Sequence, residues 1–219
     1  LKDGVYTYSD PVERSIGYVA SAALNYGEGD EDSNQILTDI VAAGYGETAL
    51  SVDIASDLIL YNIDRNEVSI IENDSSKFEC FPAWAPDGKT LYYVAANVEY
   101  PANASRETYI MHNYENVHYN LYKKSFNPQT EQWGDAECIY DAASEEKSIT
   151  LPRVSPDGRY LMFTMGNFGV FHIWHKDANL FIMDLKNREI RELTEINSNE
   201  VESYHSWSSN GKWIVFSTR

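Results

Sequence analysis

The sequence has few of the features of a disulfide-stabilised, membrane-spanning or nucleic-acid-binding protein. Its two cysteines, Cys80 and Cys138, lie far apart and form no CxxC or zinc-type spacing, so we expect both to be small buried hydrophobic residues. Basic residues are half as frequent as acidic ones, 17 against 34, and the formal charge of −17 repels phosphate backbones and anionic lipid surfaces. Nucleic acid is therefore not an expected partner.

Targeting and catalytic motifs are also missing from the sequence. No apolar run reaches roughly 18 residues, the length that indicates a transmembrane helix. The first residues, LKDGVYTY, lack the charged and apolar regions of a signal peptide, so we expect any targeting signal to lie outside this chain. There is no GxSxG elbow, HExxH motif, P-loop or dinucleotide fingerprint. We accordingly assign no catalytic residue and no cofactor.

What the sequence does contain is a repeated segment in a chain rich enough in apolar residues, at 43%, to form a packed core. Each copy has an apolar first half, an Asp-Gly or Asn-Gly pair, one basic residue and a second apolar run. An Asp-Gly or Asn-Gly pair supplies the positive φ angles of a tight hairpin turn, so each copy predicts a β-hairpin. The three copies are FPAWAPDGKTLYYV (81–94), LPRVSPDGRYLMFT (151–164) and YHSWSSNGKWIVFS (204–217).

A degraded fourth copy precedes these three, at Val5 to Val19, where Val12-Glu13 replaces the Asp-Gly pair. Further strands are predicted between the copies, for example at Leu58 to Ile63 and Asn179 to Leu185. Repeats of four short strands with almost no helix are typical of β-propeller blades. Aromatic residues that end the first strands, Trp84 and Trp207, should pack between blades.

The predicted fold class is therefore all-β: a β-propeller of four-stranded antiparallel blades. Residues 1–219 form one partial propeller with about three and a half blades, at about 5–80, 81–150, 151–203 and 204–219, the last incomplete. Propellers typically have 4–8 blades, so we expect a piece of a larger propeller.

The repeats resemble those of the TolB-like six-bladed propellers. The resemblance rests on Trp84 and Pro86-Asp87-Gly88 in one copy, on Pro156-Asp157-Gly158 with Asp184-Leu185 and Arg191 to Thr194 in the next, and on Trp207 and Gly211 in the last. Val154 and Ser209-Asn210 depart from the pattern. The resemblance implies a periplasmic or cell-envelope protein that binds a protein or polysaccharide partner, and it implies no catalytic residue.

The long connections are predicted to share one face of the propeller. In a four-stranded meander the loops alternate between two faces, which places the tight turns on one face and the insertions on the other. The insertions are Asn25 to Ala55, Asn97 to Val117 and Met165 to Asp177. Long loops are usually functional or disordered, and the aromatic content of the last two favours order. The candidate binding residues are Tyr109, His112, Tyr114, Phe168, Phe171, His172, Trp174 and His175.

Two enzymatic alternatives stay open. Four histidines lie in or beside these insertions, and three imidazoles around a metal would suit a polysaccharide lyase resembling oligogalacturonate lyase. His172 and His175 are three residues apart in a segment that we expect to be irregular or strand-like, so their spacing does not place both side chains on one face, and we assign no metal site. The acidic run Asp30-Glu31-Asp32 lacks the spacing of an EF-hand. The other alternative is the propeller domain of a prolyl-oligopeptidase-type hydrolase. We expect a binding module rather than an enzyme.

Overall fold

The computed structural model describes residues 56–71 and 76–218, without the side chains of Glu107, Thr108, Met111 and Trp174. The predicted hairpin at Val5 to Val19 and the insertion Asn25 to Ala55 lie outside the described residues.

The described residues form antiparallel sheets in chain order. A hairpin of two strands comes first, a five-stranded sheet and a four-stranded sheet follow, and a second hairpin comes last. In each of the two larger sheets the strands follow one another as a meander, except that the short β6 and β7 both pair with β5. The first hairpin is β1 (Ile59–Asn62) and β2 (Glu67–Ile70); the five-stranded sheet is β3 (Lys77–Trp84), β4 (Thr90–Asn97), β5 (Asn120–Asn127), β6 (Gln132–Trp133) and β7 (Glu137–Tyr140); the four-stranded sheet is β8 (Ser148–Val154), β9 (Tyr160–Gly166), β10 (Asn179–Asp184) and β11 (Glu189–Glu192); the last hairpin is β12 (Glu202–Trp207) and β13 (Ile214–Thr218).

This arrangement confirms the all-β class and the partial propeller. The first strands of the last three sheets, β3, β8 and β12, pack against one another as the inner strands of successive blades do. Helix is confined, within the described residues, to α1 (Arg106–His112) and three short 3₁₀ turns. None of these helices is both long and apolar enough to cross a membrane.

The core lies between the sheets. The face of β4 that carries Val94 and Ala96 packs with Leu161, Phe163 and other residues of the next sheet to form the largest apolar cluster. A second cluster joins Met162 and Leu180 to the last hairpin. Since each sheet contributes one face to each neighbour, both faces of a blade are apolar, which explains the continuous apolar runs in the second strands.

Trp207 packs between blades as predicted, whereas Trp84 does not among the described residues. The indole nitrogen of Trp207 donates to the carbonyl of Arg153, in the inner strand of the preceding sheet, at 3.1 Å. Trp84 is 42% exposed; it stacks on Trp133 and meets Phe126 edge to face, both in its own sheet.

The repeated turns differ in detail from the two-residue turns that the sequence predicts. Only the glycines, Gly88, Gly158 and Gly211, have positive φ, at 63°, 73° and 67°. In the second copy Gly158 N donates to Ser155 O and Ser155 N to Tyr160 O, which closes a four-residue loop. The preceding Asp157 instead uses its carboxylate to accept the amide of Arg159, at 3.1 Å. A loop of four residues is built on a type I turn, which needs only one left-handed residue.

A second repeated feature was not predicted: each inner strand contains a bulge. Strand pairing shifts register in β3, β8 and β12, and the residues at the shifts, Phe81, Leu151 and Tyr204, have φ near +50°. Bulky residues rarely adopt this conformation. Proline within a strand is confined to edges and bulges, so Pro82 and Pro152 were the available sign.

The cysteine prediction was half right. Cys80 is buried and its sulfur lies 3.2 Å from the hydroxyl of Ser56. Cys138 is exposed, because β7 lies at the outer edge of its sheet. Both are free thiols.

Candidate functional site

Two insertions lie at one end of the sheets, opposite the Asp-Gly turns. The first insertion, residues 98–119, connects β4 to β5 and contains α1 and a 3₁₀ turn (Tyr114–Asn116). The second insertion, residues 167–178, connects β9 to β10 and contains a 3₁₀ turn (His172–Trp174). Since β4 and β9 are equivalent strands of adjacent sheets, the two insertions leave the propeller side by side.

Hydrogen bonds join the two insertions directly. The amide of Gly169 donates to the carbonyl of Val117 at 2.7 Å. Ser148, at the start of β8, donates its hydroxyl to Gly169 O at 2.5 Å and accepts the amide of Tyr119 at 2.9 Å. Gly169 has a φ of +69°, which a residue with a side chain rarely adopts. The insertions therefore form one continuous structure, anchored to the inner strand of a blade.

Aromatic rings continue this contact toward solvent. Tyr114 of the first insertion meets Phe168 of the second edge to face, with centroids 5.5 Å apart. Phe168 in turn lies 4.6 Å from the ring of His175, and His175 lies 5.4 Å from the ring of His172. Tyr114, Phe168 and His175 are all half-buried. We call the two insertions with this row of four rings the insertion surface.

His172 is the buried end of the row, at 1% exposure. Its Nε2 lies 3.2 Å from the carbonyl of Phe168, which can only accept, so Nε2 carries the proton. Its Nδ1 then accepts from the hydroxyl of Thr150, also at 3.2 Å. Burial, and to a smaller extent the neighbouring His175, lower the pKa of His172 from 6.5 to about 3. His172 is thus a neutral, fully hydrogen-bonded histidine that fixes the second insertion on β8.

His175 sits closer to the surface and is less satisfied. Its Nδ1 is buried and has no hydrogen-bond partner among the described residues. Burial lowers the pKa of His175, while the nearby carboxylate of Asp177 opposes that effect. Asp177 also orders the loop, because its Oδ2 accepts a hydrogen bond from the amide of Asn167 at 2.7 Å. His175 is therefore held neutral against the ring of Phe168.

The remaining predicted binding residues lie outside this row. Tyr109 is half-buried in α1, where its carbonyl accepts two hydrogen bonds from Asn113, and His112 is exposed at the end of that helix. Phe171 packs against the largest apolar cluster of the core. Trp174 has no described side chain. The structure thus brings together Tyr114, Phe168, His172 and His175, and it places Tyr109, His112 and Phe171 around them.

A metal site would need several donor side chains close together. Across residues 56–71 and 76–218, no group of three or more His, Cys, Asp or Glu side chains is placed to hold an ion. Both ring nitrogens of His172 are engaged by protein groups, as described above. The described histidines therefore do not form the convergent set that the lyase alternative needs.

Thr150, Ser148 and Gly169 were not predicted, although they position the row. Ser148 and Thr150 lie at the start of β8, just before the repeated segment begins at Leu151. The sequence there shows only an alternation of polar and apolar residues. Gly169 lies in NFGVF, and a lone glycine between aromatic residues was the available signal for a left-handed residue.

Comparisons with known proteins identify no family for this chain. No family model matches the sequence, and no curated protein matches it. A solved structure described as oligogalacturonate lyase in complex with manganese aligns with 72% of this chain, at 12% sequence identity and a TM-score of 0.35. The chain spans about half, 52%, of the length of that structure. At this TM-score the likeness supports no inference about this chain.

Proposed function

We propose that this chain is the non-catalytic binding part of a TolB-like propeller, which holds a protein or polysaccharide partner of the cell envelope on its insertion surface. The observation that carries the proposal is the ordered contact between the two insertions. A connection between adjacent antiparallel strands needs only a few residues, and both insertions are far longer. The extra residues of the two insertions contact one another and form a surface that the sheets do not require.

The chemistry of the surface suits a macromolecular partner. Tyr114 and Phe168 present half-buried rings, and aromatic side chains dominate binding energy because they bury much area with few rotors to freeze. The charge of −17 favours a neutral or basic partner, since an acidic polymer would be repelled over most of the surface. The periplasmic or cell-envelope location is proposed from the sequence resemblance alone.

Binding to defined polymers tests the proposal. The purified chain is titrated with neutral polysaccharides, acidic polysaccharides and envelope protein fractions at low and physiological salt. We expect saturable binding to one neutral or basic class. Phe168→Ala should weaken that binding at least tenfold.

A matched control separates surface from bulk effects. Trp213 is 72% exposed beside the Asn210-Gly211 turn, at the opposite end of the sheets, so Trp213→Ala removes an exposed aromatic ring without touching the insertions. If both variants bind as wild type does, or if both lose binding equally, the insertion surface is not the binding site. Release of unsaturated sugar products from oligogalacturonate with added Mn²⁺ would instead support the lyase alternative.

A further inference from the structure

The joint between the two insertions contains two imidazoles that are neutral because of where they lie. His172 begins the 3₁₀ turn and His175 is the residue that follows it, and their ring centroids are 5.4 Å apart. Two imidazolium ions at this separation repel each other. Both rings contact Phe168, one through its backbone carbonyl and the other through its ring, so any movement of these histidines reaches the residue that joins the insertions.

Protonation would leave buried hydrogen-bonding groups unsatisfied. A second proton on His175 adds an N–H at Nδ1, which is buried and has no acceptor among the described residues. A second proton on His172 forces the hydroxyl of Thr150 to accept rather than donate, and Thr150 is fully buried, so its own proton loses its acceptor. Unsatisfied buried donors are costly, and lifting the second insertion into water would satisfy them.

The charged groups around the pair do not reverse this balance. From within the second insertion, Asp177 favours the protonated form of both histidines, yet the pKa of each stays lowered. From β8, the neutral Thr150 faces His172, and Lys147, next to that strand, is bonded to Asn167. From the first insertion, Tyr114 contacts Phe168 and donates its hydroxyl to Glu115 at 3.3 Å, so that carboxylate is directed to the phenol. From β12, which packs against the same 3₁₀ turn, the carboxylate of Glu202 accepts hydrogen bonds from Ser198 and Thr218, and His205 donates to the carbonyl of Met162.

We propose that His172 and His175 form an acid-sensitive latch that keeps the two insertions joined near neutral pH and releases them in mild acid. Because the latch regulates the surface described under the proposed function, it rests on that proposal for its biological meaning. The acid-dependent opening itself does not require a bound partner. Acid would open the second insertion locally, break the bond from Gly169 N to Val117 O and separate the rings of Tyr114 and Phe168.

The size of the effect follows from His172. Its pKa is about 3 in the closed state and 6.5 when solvated, so the open state binds about a quarter of a proton more at pH 7 and nearly one proton more at pH 5. The ratio of open to closed insertion should then rise roughly 20-fold over this interval. His175 adds to this factor in the same direction.

Amide hydrogen exchange at Gly169, followed by NMR at pH 7 and pH 5 and corrected for the intrinsic exchange rate, measures this ratio. We expect opening at Gly169 to increase at least roughly 20-fold, with a smaller increase for amides in the centres of β9 and β10. The double variant His172→Gln with His175→Phe keeps the Nε2 donor and the second ring but cannot titrate. Its opening ratio should change by less than about threefold.

The wild-type measurement decides the matter even if the double variant fails to fold. A change at Gly169 of less than about twofold would overturn the latch, and so would an equal increase at β9 and β10, which would indicate global rather than local opening. Acid-dependent opening of a chain that binds no polymer at pH 7 would refute the proposed function and leave the latch standing. Acid-insensitive opening of a chain that does bind would do the reverse.

Discussion

A buried histidine in the last hairpin should make the whole fold weaker in mild acid. His205 is 3% exposed, and its Nε2 donates to the carbonyl of Met162 in the preceding blade at 3.0 Å. Burial, assisted by the charge of Arg153, lowers its pKa from 6.5 to about 4. The unfolded state therefore binds more protons than the folded state between these two values. Stability is fully present above pH 6.5 and declines as pH falls toward 4.

The difference between 6.5 and about 4 corresponds to roughly 3 kcal/mol in total, of which about 2 kcal/mol is lost between pH 7 and pH 5. His172, with its pKa near 3, contributes a loss of similar size over the same interval. Carboxylates whose pKa is lowered contribute only at lower pH, because their stabilisation is lost below about 4.5. The interval from pH 7 to pH 5 therefore isolates the histidines.

Urea unfolding of wild type and of His205→Gln at both pH values tests this reasoning. Glutamine keeps an amide donor toward Met162 O but does not titrate, so the variant should lose about 2 kcal/mol less than wild type between pH 7 and pH 5. His112→Gln makes the same substitution at an exposed histidine of α1 and is the comparison variant. An identical pH dependence in His205→Gln and wild type would refute the assignment of the acid sensitivity to this residue.

Three further predictions concern the repeats. Gly158→Val should destabilise the fold by about 1–3 kcal/mol through backbone strain alone, because φ is +73° and nothing lies within 4 Å of the added Cβ; an unchanged urea midpoint would contradict this. Trp207→Phe should cost about 1–2 kcal/mol, because Arg153 O loses its donor, and a variant as stable as wild type would show that water replaces the indole. Tyr204→Gly, at φ +50° and 59% exposed, should cost less in urea unfolding than Ser206→Gly in the same strand; the opposite order would mean that the bulge is not strained.

The sequence was most informative where one physical requirement repeats. Period-two alternation and the Asp-Gly and Asn-Gly pairs placed the strands around 59–70, 160–166 and 179–192 to within a few residues. Each turn needs one left-handed residue, which glycine supplies at the least cost. The bulges were not predicted, since Phe81, Leu151 and Tyr204 are side chains that local preference excludes from positive φ. Packing of the inner strands determines their conformation, and the local sign of it is the proline, Pro82 or Pro152, that follows two of the three bulged residues.

The residues of the candidate site were also predicted only in part. Loop length and aromatic content identified the insertions and four residues of the row, because order in a long loop needs apolar anchors. The contacts between these residues depend on the offset between adjacent blades, which places the amide of Gly169 beside the carbonyl of Val117. The role of Thr150 in holding His172 neutral depends on tertiary contact alone.

A double-mutant cycle on Tyr114 and Phe168 tests most directly whether the two insertions form one surface. The free energy of unfolding is measured for Tyr114→Ala, Phe168→Ala, the double variant and wild type. Since the rings meet edge to face at 5.5 Å, we predict a coupling energy of about 0.5–1.5 kcal/mol. Strict additivity of the two substitutions, within about 0.3 kcal/mol, would show that the insertions fold independently and would contradict the account.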